Sequence, residues 1–145
     1  MHAYRYENNL EAEVMSAGPV RLVEMLCRGA LDATAAARCY LLAGDIPARS
    51  RQITKAQAIL TELSASLDRE RGGVIAERLA GLYAYMLQRL AEGNFRQVDE
   101  PLAETERLLR TLTEAWEECA TATEPAFALA INGAAREHRS YDFVG

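Results

Sequence analysis

The side chains best suited to proton transfer or metal binding are the two histidines, His2 and His138, and both lie near the ends of the chain. A zinc site or a Ser-His-Asp triad needs convergent groups held at fixed positions, which two distant terminal histidines do not provide. Di-iron sites in helical bundles use Glu-x-x-His motifs, and none occurs in this sequence. We therefore expect no catalytic residues, no metal ligands and no cofactor.

Carboxylates are the next candidates for chemistry, but most fall off the apolar stripes of the chain. They are predicted to form a solvated surface that includes Glu62, Glu77, Glu100, Glu104 and Glu114. Gly72–Gly73 is not a phosphate loop, because it lacks the preceding strand and the following Lys-Ser/Thr. A bundle without a convergent polar site is more often a binding module than an enzyme. An enzyme would instead require a buried cluster of carboxylates or histidines.

Composition narrows the class of protein further. The chain has 145 residues, about one domain, with a net charge of −5 and Lys55 as its only lysine. This balance disfavours nucleic acid as a partner, because phosphate contacts need a basic face. No apolar run is long enough to insert in a membrane, and residues 1–10 do not resemble a signal peptide. We expect a cytoplasmic protein.

Apolar residues recur at steps of three and four along four stretches, which predicts four helices. The first has Pro19 in its first turn and ends at Gly44. The second is capped by Asp45 and is expected to stop near Gly72–Gly73. The third follows and closes at Gly93–Asn94, and the fourth begins near Asp99.

The fourth stretch has the most regular stripe of the chain. Its residues at the core positions are Leu102, Thr105, Leu109, Leu112, Trp116 and Cys119. Short connections between long helices place neighbours antiparallel, so the sequence predicts an all-α, up-down four-helix bundle. We expect an N-terminal arm at 1–16, the bundle at 17–120 and a C-terminal extension at 121–145 with a short additional helix. Cys27, Cys39 and Cys119 are odd in number and far apart, which argues against a disulfide framework. Each lies in an apolar helical context, so we expect buried free thiols.

Several segments, taken in order, resemble the FliS family of flagellin secretion chaperones. They include Gly18–Leu26, the Ile-Thr-Lys-Ala run at 53–56, the Gly-Gly turn at 72–73, Leu-Tyr-Ala-Tyr-Met at 82–86 and Glu-Ala-Trp at 114–116. The resemblance covers roughly residues 14 to 118. Cys27, Arg28 and Gly18 depart from the residues usual in the family, and the tail after Glu118 is longer than usual.

The resemblance implies an antiparallel bundle that binds the disordered C-terminal segment of flagellin in the cytoplasm. Such binding prevents premature polymerisation and delivers flagellin to the export gate of the flagellar type III system. The competing hypothesis is a non-catalytic scaffold or regulatory bundle that binds another protein. The alternatives differ in their partner, and exposed grooves in the empty protein allow weak self-association.

A client that folds on binding must bury apolar surface, so we expect apolar grooves between the helices. The residues chosen for partner binding are Ile59, Leu63, Leu67, Leu79, Tyr83 and Met86. A stripe at helical spacing is also the pattern of a core, and the sequence does not separate the two roles. In the family an N-terminal aromatic segment covers part of the client groove when it is empty, and the resemblance makes Tyr4 and Tyr6 candidates for that role. Phe127–Ile131 is a second candidate occupant of the groove.

Overall fold

The computed structural model describes residues 18–121, which fold into four α-helices. The helices are α1 (Pro19–Ala43), α2 (Ile46–Ala65), α3 (Arg69–Arg96) and α4 (Glu100–Thr121). No strand occurs among these residues. Each helix packs against its neighbours in the cyclic order α1, α2, α3, α4, and α1 closes the ring against α4. The predicted all-α four-helix bundle is confirmed.

The turn between α1 and α2 agrees with the prediction. Gly44 has φ 76°, the left-handed conformation that ends α1, and its amide donates to the Leu41 carbonyl at 3.2 Å. The Asp45 carboxylate then accepts a hydrogen bond from the Ala48 amide at 3.1 Å and caps α2. This turn and the α3–α4 connection lie at the same end of the bundle, called here the upper end.

Two predicted helix ends are wrong. Helix α2 stops at Ala65, well before Gly72–Gly73, and Asp68 caps α3 through the Arg71 amide at 3.0 Å. Gly73 instead kinks α3 after its first turn, with φ 50° and ψ −125°, a conformation that a residue with a Cβ rarely adopts. Helix α3 also continues past Gly93 to Arg96, because Gly93 is helical and buried.

Gly93 is required by a close approach between α3 and α4. A Cβ at this position would lie 2.7 Å from Cδ2 and 2.9 Å from Cγ of Leu102. Leu102 is fully buried at the start of α4, so it cannot swing away into solvent. The glycine that the sequence suggested as a helix end is therefore a packing residue.

The core follows the stripe predicted for α4, and every member of that stripe is buried. The hydroxyls of Thr105 and Thr113 donate to backbone carbonyls of their own helix, so neither leaves an unsatisfied donor. Cys27 and Cys119 are buried free thiols as expected, but Cys39 is exposed, contrary to the prediction. None of the four helices is long and apolar enough to cross a membrane.

Candidate partner-binding surface

The six residues predicted to bind a partner are mostly core residues in this structure. Leu63, Leu67, Leu79, Tyr83 and Met86 are buried, and none is more than 8% exposed. Ile59 is half-buried and points toward α1, where its Cδ1 lies 3.3 Å from the Cβ position of Gly29. A partner would reach the five buried side chains only if helices separated. Their role in binding therefore stays a prediction.

Tyr83 occupies the centre of the bundle, with its hydroxyl fully buried and without a hydrogen-bond partner among residues 18–121. Burial raises the pKa of Tyr83, and the neighbouring Cys27 adds to the effect. Burial, and then the charge of Glu24, raise the pKa of Cys27 to about 12. Both groups are neutral and enclosed at physiological pH, so this part of α3 supports the fold.

Accessible apolar side chains lie on the flank of α3 that faces α4. Arg89 identifies the flank that faces α4, because its guanidinium donates a hydrogen bond to Glu104 of α4 at 2.8 Å. Tyr85, Leu82 and Ile75 precede Arg89 by 4, 7 and 14 residues, a spacing that keeps them on the same side of the helix. On α4, Leu108 lies one turn after Glu104 and faces the same seam.

These residues define a surface that we call the α3–α4 groove. Its members are Val74, Ile75, Leu82 and Tyr85 on α3 and Leu108 on α4. Ile75, Leu82 and Leu108 are half-buried against the core, whereas Val74 is 61% and Tyr85 43% exposed. The helices run antiparallel, so Leu82 and Leu108 lie at the same level, one turn below Tyr85 and Glu104. The groove runs from there to the lower end of the bundle.

Charged side chains border the upper end of the groove. The Arg89 guanidinium contacts Glu92, Glu100 and Glu104 together. The Tyr85 hydroxyl also donates to Glu104, and this bond, followed by the contact with Arg89, lowers the pKa of the Glu104 carboxyl. Arg96 also pairs with Glu92 at 3.0 Å, so three carboxylates meet two arginines beside the apolar groove.

The seam between α1 and α4 is built differently, with ion pairs at both ends. At the upper end Arg38 makes a bidentate pair with Asp99, both bonds at 2.8 Å, and bonds Glu106 at 2.6 Å. At the lower end Arg28 joins Glu24 of its own helix to Glu117 of α4. Glu24 is only 2% exposed and is also paired with Arg21. These contacts hold the two helices together.

A second apolar area lies at the upper end of the bundle. Leu42 is 92% and Phe95 88% exposed, and Ile46 is half exposed. Beside them a surface pocket of about 580 Å³ is lined by α1 and the start of α4, including Cys39, Leu41 and Leu42. Its charged members, Arg38, Asp99 and Glu106, already pair with each other. Each of these three side chains therefore already has an ion-pair partner, and none offers an unpaired charge to a ligand.

Sequence reasoning missed most of the groove because it followed the centre of each stripe. Tyr85 and Leu108 were not among the residues selected for partner binding. A usable signal is present: an apolar residue on the flank of a stripe, beside charged residues, marks the edge of a helix–helix seam. Tyr4, Tyr6 and the segment Phe127–Ile131 lie outside the described residues. Within 18–121, no three histidine, cysteine, aspartate or glutamate residues are grouped to hold a metal.

Comparison with known proteins places this bundle in a family. The family described as flagellar protein FliS matches residues 2–123. The chain belongs to the FliS family. The match includes all four helices and ends two residues beyond α4.

Curated FliS proteins resemble the chain over most of its length. The flagellar secretion chaperone FliS of Salmonella typhimurium is 42% identical over 111 residues, which cover 76% of this chain and 82% of the relative. FliSB of Pseudomonas aeruginosa is 38% identical over 75% of this chain and 86% of its own. FliS of Escherichia coli is 34% identical over 75% and 81%, respectively.

FliS membership confirms the resemblance drawn from the sequence and makes the chain a flagellar export chaperone. A chaperone family implies a non-enzymatic role, in which surfaces that bind matter more than groups that react. Among the described residues, the accessible apolar groove between α3 and α4 is a feature that fits such a role.

Proposed function

We propose that this protein binds the disordered C-terminal segment of flagellin in the cytoplasm and that the α3–α4 groove receives it. Binding keeps flagellin from polymerising prematurely and delivers it to the export gate of the flagellar type III system. The observation that carries the proposal is the accessible apolar groove on a bundle of the FliS family.

The energetics of coupled folding favour such a surface. A disordered client loses conformational entropy when it folds on a partner, and buried apolar area must offset that loss. A helix docks into a groove through apolar residues spaced three and four apart. From Val74 to Tyr85 the groove extends about 16 Å along α3, room for roughly three turns of a client helix.

The polar edges of the groove favour one orientation of the client. Glu92, Glu100 and Glu104 outnumber by one the arginines paired with them, Arg89 and Arg96, so a basic residue of the client is favoured at the upper end. The lower part of the groove offers the aliphatic side chains Val74 and Ile75. A client helix with an apolar face and a basic end therefore complements this surface.

The buried residues beneath the groove suggest how the site is supported. Leu79, Tyr83 and Met86 pack in the core directly behind the half-buried Ile75 and Leu82. We propose that they hold α3 in place rather than touch the client in the closed bundle. The original choice of these residues as contacts then applies only to an opened bundle.

The primary experiment is a calorimetric titration of the full chain with a peptide that spans a flagellin C-terminus, with circular dichroism alongside. We expect one-to-one binding, a negative heat-capacity change and a gain in helix, the signature of folding onto an apolar surface. No binding by a folded bundle would overturn the proposal and favour a scaffold for another protein.

A matched pair of variants locates the binding surface. Val74→Asp places a charge in the groove and should weaken peptide binding at least about tenfold, because docking of the client would remove the carboxylate from water. Thr61→Asp adds the same charge to an exposed position on α2 and should leave the affinity unchanged. Equal affinities for both variants would place the site elsewhere on the bundle.

A further inference from the structure

The strongest remaining feature is the match between the α3–α4 groove and a segment of the chain that follows the bundle. Residues 124–145 lie outside the FliS family match. They contain an apolar run with Phe127, Leu129 and Ile131, followed by Arg136-Glu137-His138-Arg139. We propose that this segment docks in the α3–α4 groove of its own chain and competes with the client. The proposal rests on the function proposed above.

The position of the chain end makes this docking geometrically simple. Helix α4 ends at Thr121 at the lower end of the bundle, where α3 begins at Arg69. The groove starts there with Val74 and Ile75. Phe127 follows Thr121 by six residues, which span up to about 20 Å when extended, enough to turn back and enter the lower mouth of the groove.

The order of residue types in the segment matches the order along the groove. A helix from Phe127 to Arg136 would be about 14 Å long, close to the length of the groove from Val74 to Tyr85. The apolar run then lies against the aliphatic lower part. Arg136 and Arg139 reach the upper end, where Glu92, Glu100 and Glu104 outnumber Arg89 and Arg96 by one.

A segment tethered to the bundle acts at high effective concentration, so even weak docking lowers client affinity. A groove covered two thirds to nine tenths of the time weakens apparent client binding about threefold to tenfold. The client still displaces the segment, because it offers a longer helix-forming chain. Docking of the segment therefore sets a minimum affinity for binding in the groove, and apolar competitors that bind more weakly are excluded.

Docking can be measured without any client. A nitroxide is attached to Ala134→Cys in the full chain, in a background of Cys39→Ser and Cys119→Ala; Cys27 remains, since it is fully buried. We expect paramagnetic broadening of the amides of Leu82, Tyr85 and Leu108. Amides on the exposed face of α2, such as those of Thr54 and Ala58, should stay sharp. Broadening on another face, or none, would overturn the proposal.

Paired variants of the segment provide the control. Phe127→Asp with Ile131→Asp should abolish the broadening, whereas Ser140→Asp with Val144→Asp adds the same charge outside the apolar run and should preserve it. A mixture of isotope-labelled chains without nitroxide and unlabelled chains with it should show no broadening. Broadening in that mixture would mean docking onto a second copy and would refute docking within one chain.

Measuring the affinity for the client distinguishes failure of this inference from failure of the proposed function. In the full chain, Phe127→Asp with Ile131→Asp should tighten binding of the flagellin peptide about threefold to tenfold. Groove docking without any peptide binding would refute the proposed function and leave the docking intact. Peptide binding that the variant does not change, with no broadening in the nitroxide experiment, would refute only the docking of this segment.

Discussion

The α1–α4 seam and the α3–α4 groove join the same helix to two different neighbours, and they are built on different principles. The first is held by interhelical ion pairs at both ends, through Arg28 and Arg38. Among residues 18–121, the second has such contacts only at its upper end, around Arg89, and below them leaves aliphatic side chains partly exposed. The α1–α4 seam is therefore joined at both ends, whereas the α3–α4 groove leaves apolar side chains accessible for the proposed client.

The largest expected effect tests whether Met86 belongs to the core side of α3 or to the binding surface. Met86→Ala should lower the free energy of unfolding by about 2–5 kcal/mol, because Met86 is fully buried and the truncation leaves a cavity. Urea denaturation followed by circular dichroism measures the change. Gln88→Ala, at an exposed position of the same helix, should change stability by less than about 0.5 kcal/mol.

If Met86→Ala instead kept its stability and lost client affinity, the boundary drawn here between core and groove would be wrong. The original assignment of Met86 as a partner contact would then be the better description.

The next effect tests the closed upper end of the α3–α4 seam. Gly93→Ala should destabilise the protein by about 1–3 kcal/mol, since the added Cβ would overlap Leu102. Gly81→Ala is the matched control, because its Cβ would meet nothing within 4 Å. We expect that change to stabilise the protein by about 0.5–1 kcal/mol through the higher helix propensity of alanine. Thermal unfolding distinguishes the two, and shifts of the same sign would refute the packing argument.

The smallest effect tests the ion pairs of the α1–α4 seam. Arg38→Met should cost about 1 kcal/mol at neutral pH, because both carboxylate partners remain partly solvated. The bond to Arg38 lowers the pKa of Asp99, so the pair stabilises the fold above the ordinary aspartate pKa near 4. That contribution is lost as the pH falls through the lowered pKa of the folded state.

Urea denaturation of the parent protein and of Arg38→Met should therefore show a difference at pH 7 that shrinks on acidification below pH ~4. A difference that persists unchanged in acid would mean that the alkyl part of Arg38, rather than its charge, stabilises the seam.

The sequence by itself determined the four helices of residues 18–121, most of their boundaries and the family. Periodic apolar residues, the left-handed Gly44 and the capping carboxylate of Asp45 act locally, so they can be recognised without knowledge of the neighbouring helices. The stripe of α4 was correct for the same reason: a regular pattern on one helix must face the interior of a small bundle.

Tertiary structure alone decided what Gly93 does and which apolar residues are accessible. Gly93 has the local pattern of a helix end, and only the approach of Leu102 shows that it serves packing. Tyr83 and Tyr85 are two residues apart on one helix, yet one is fully buried and the other 43% exposed. That difference depends on where α4 lies, because the accessible edge of a seam is a property of two helices and not of one stripe.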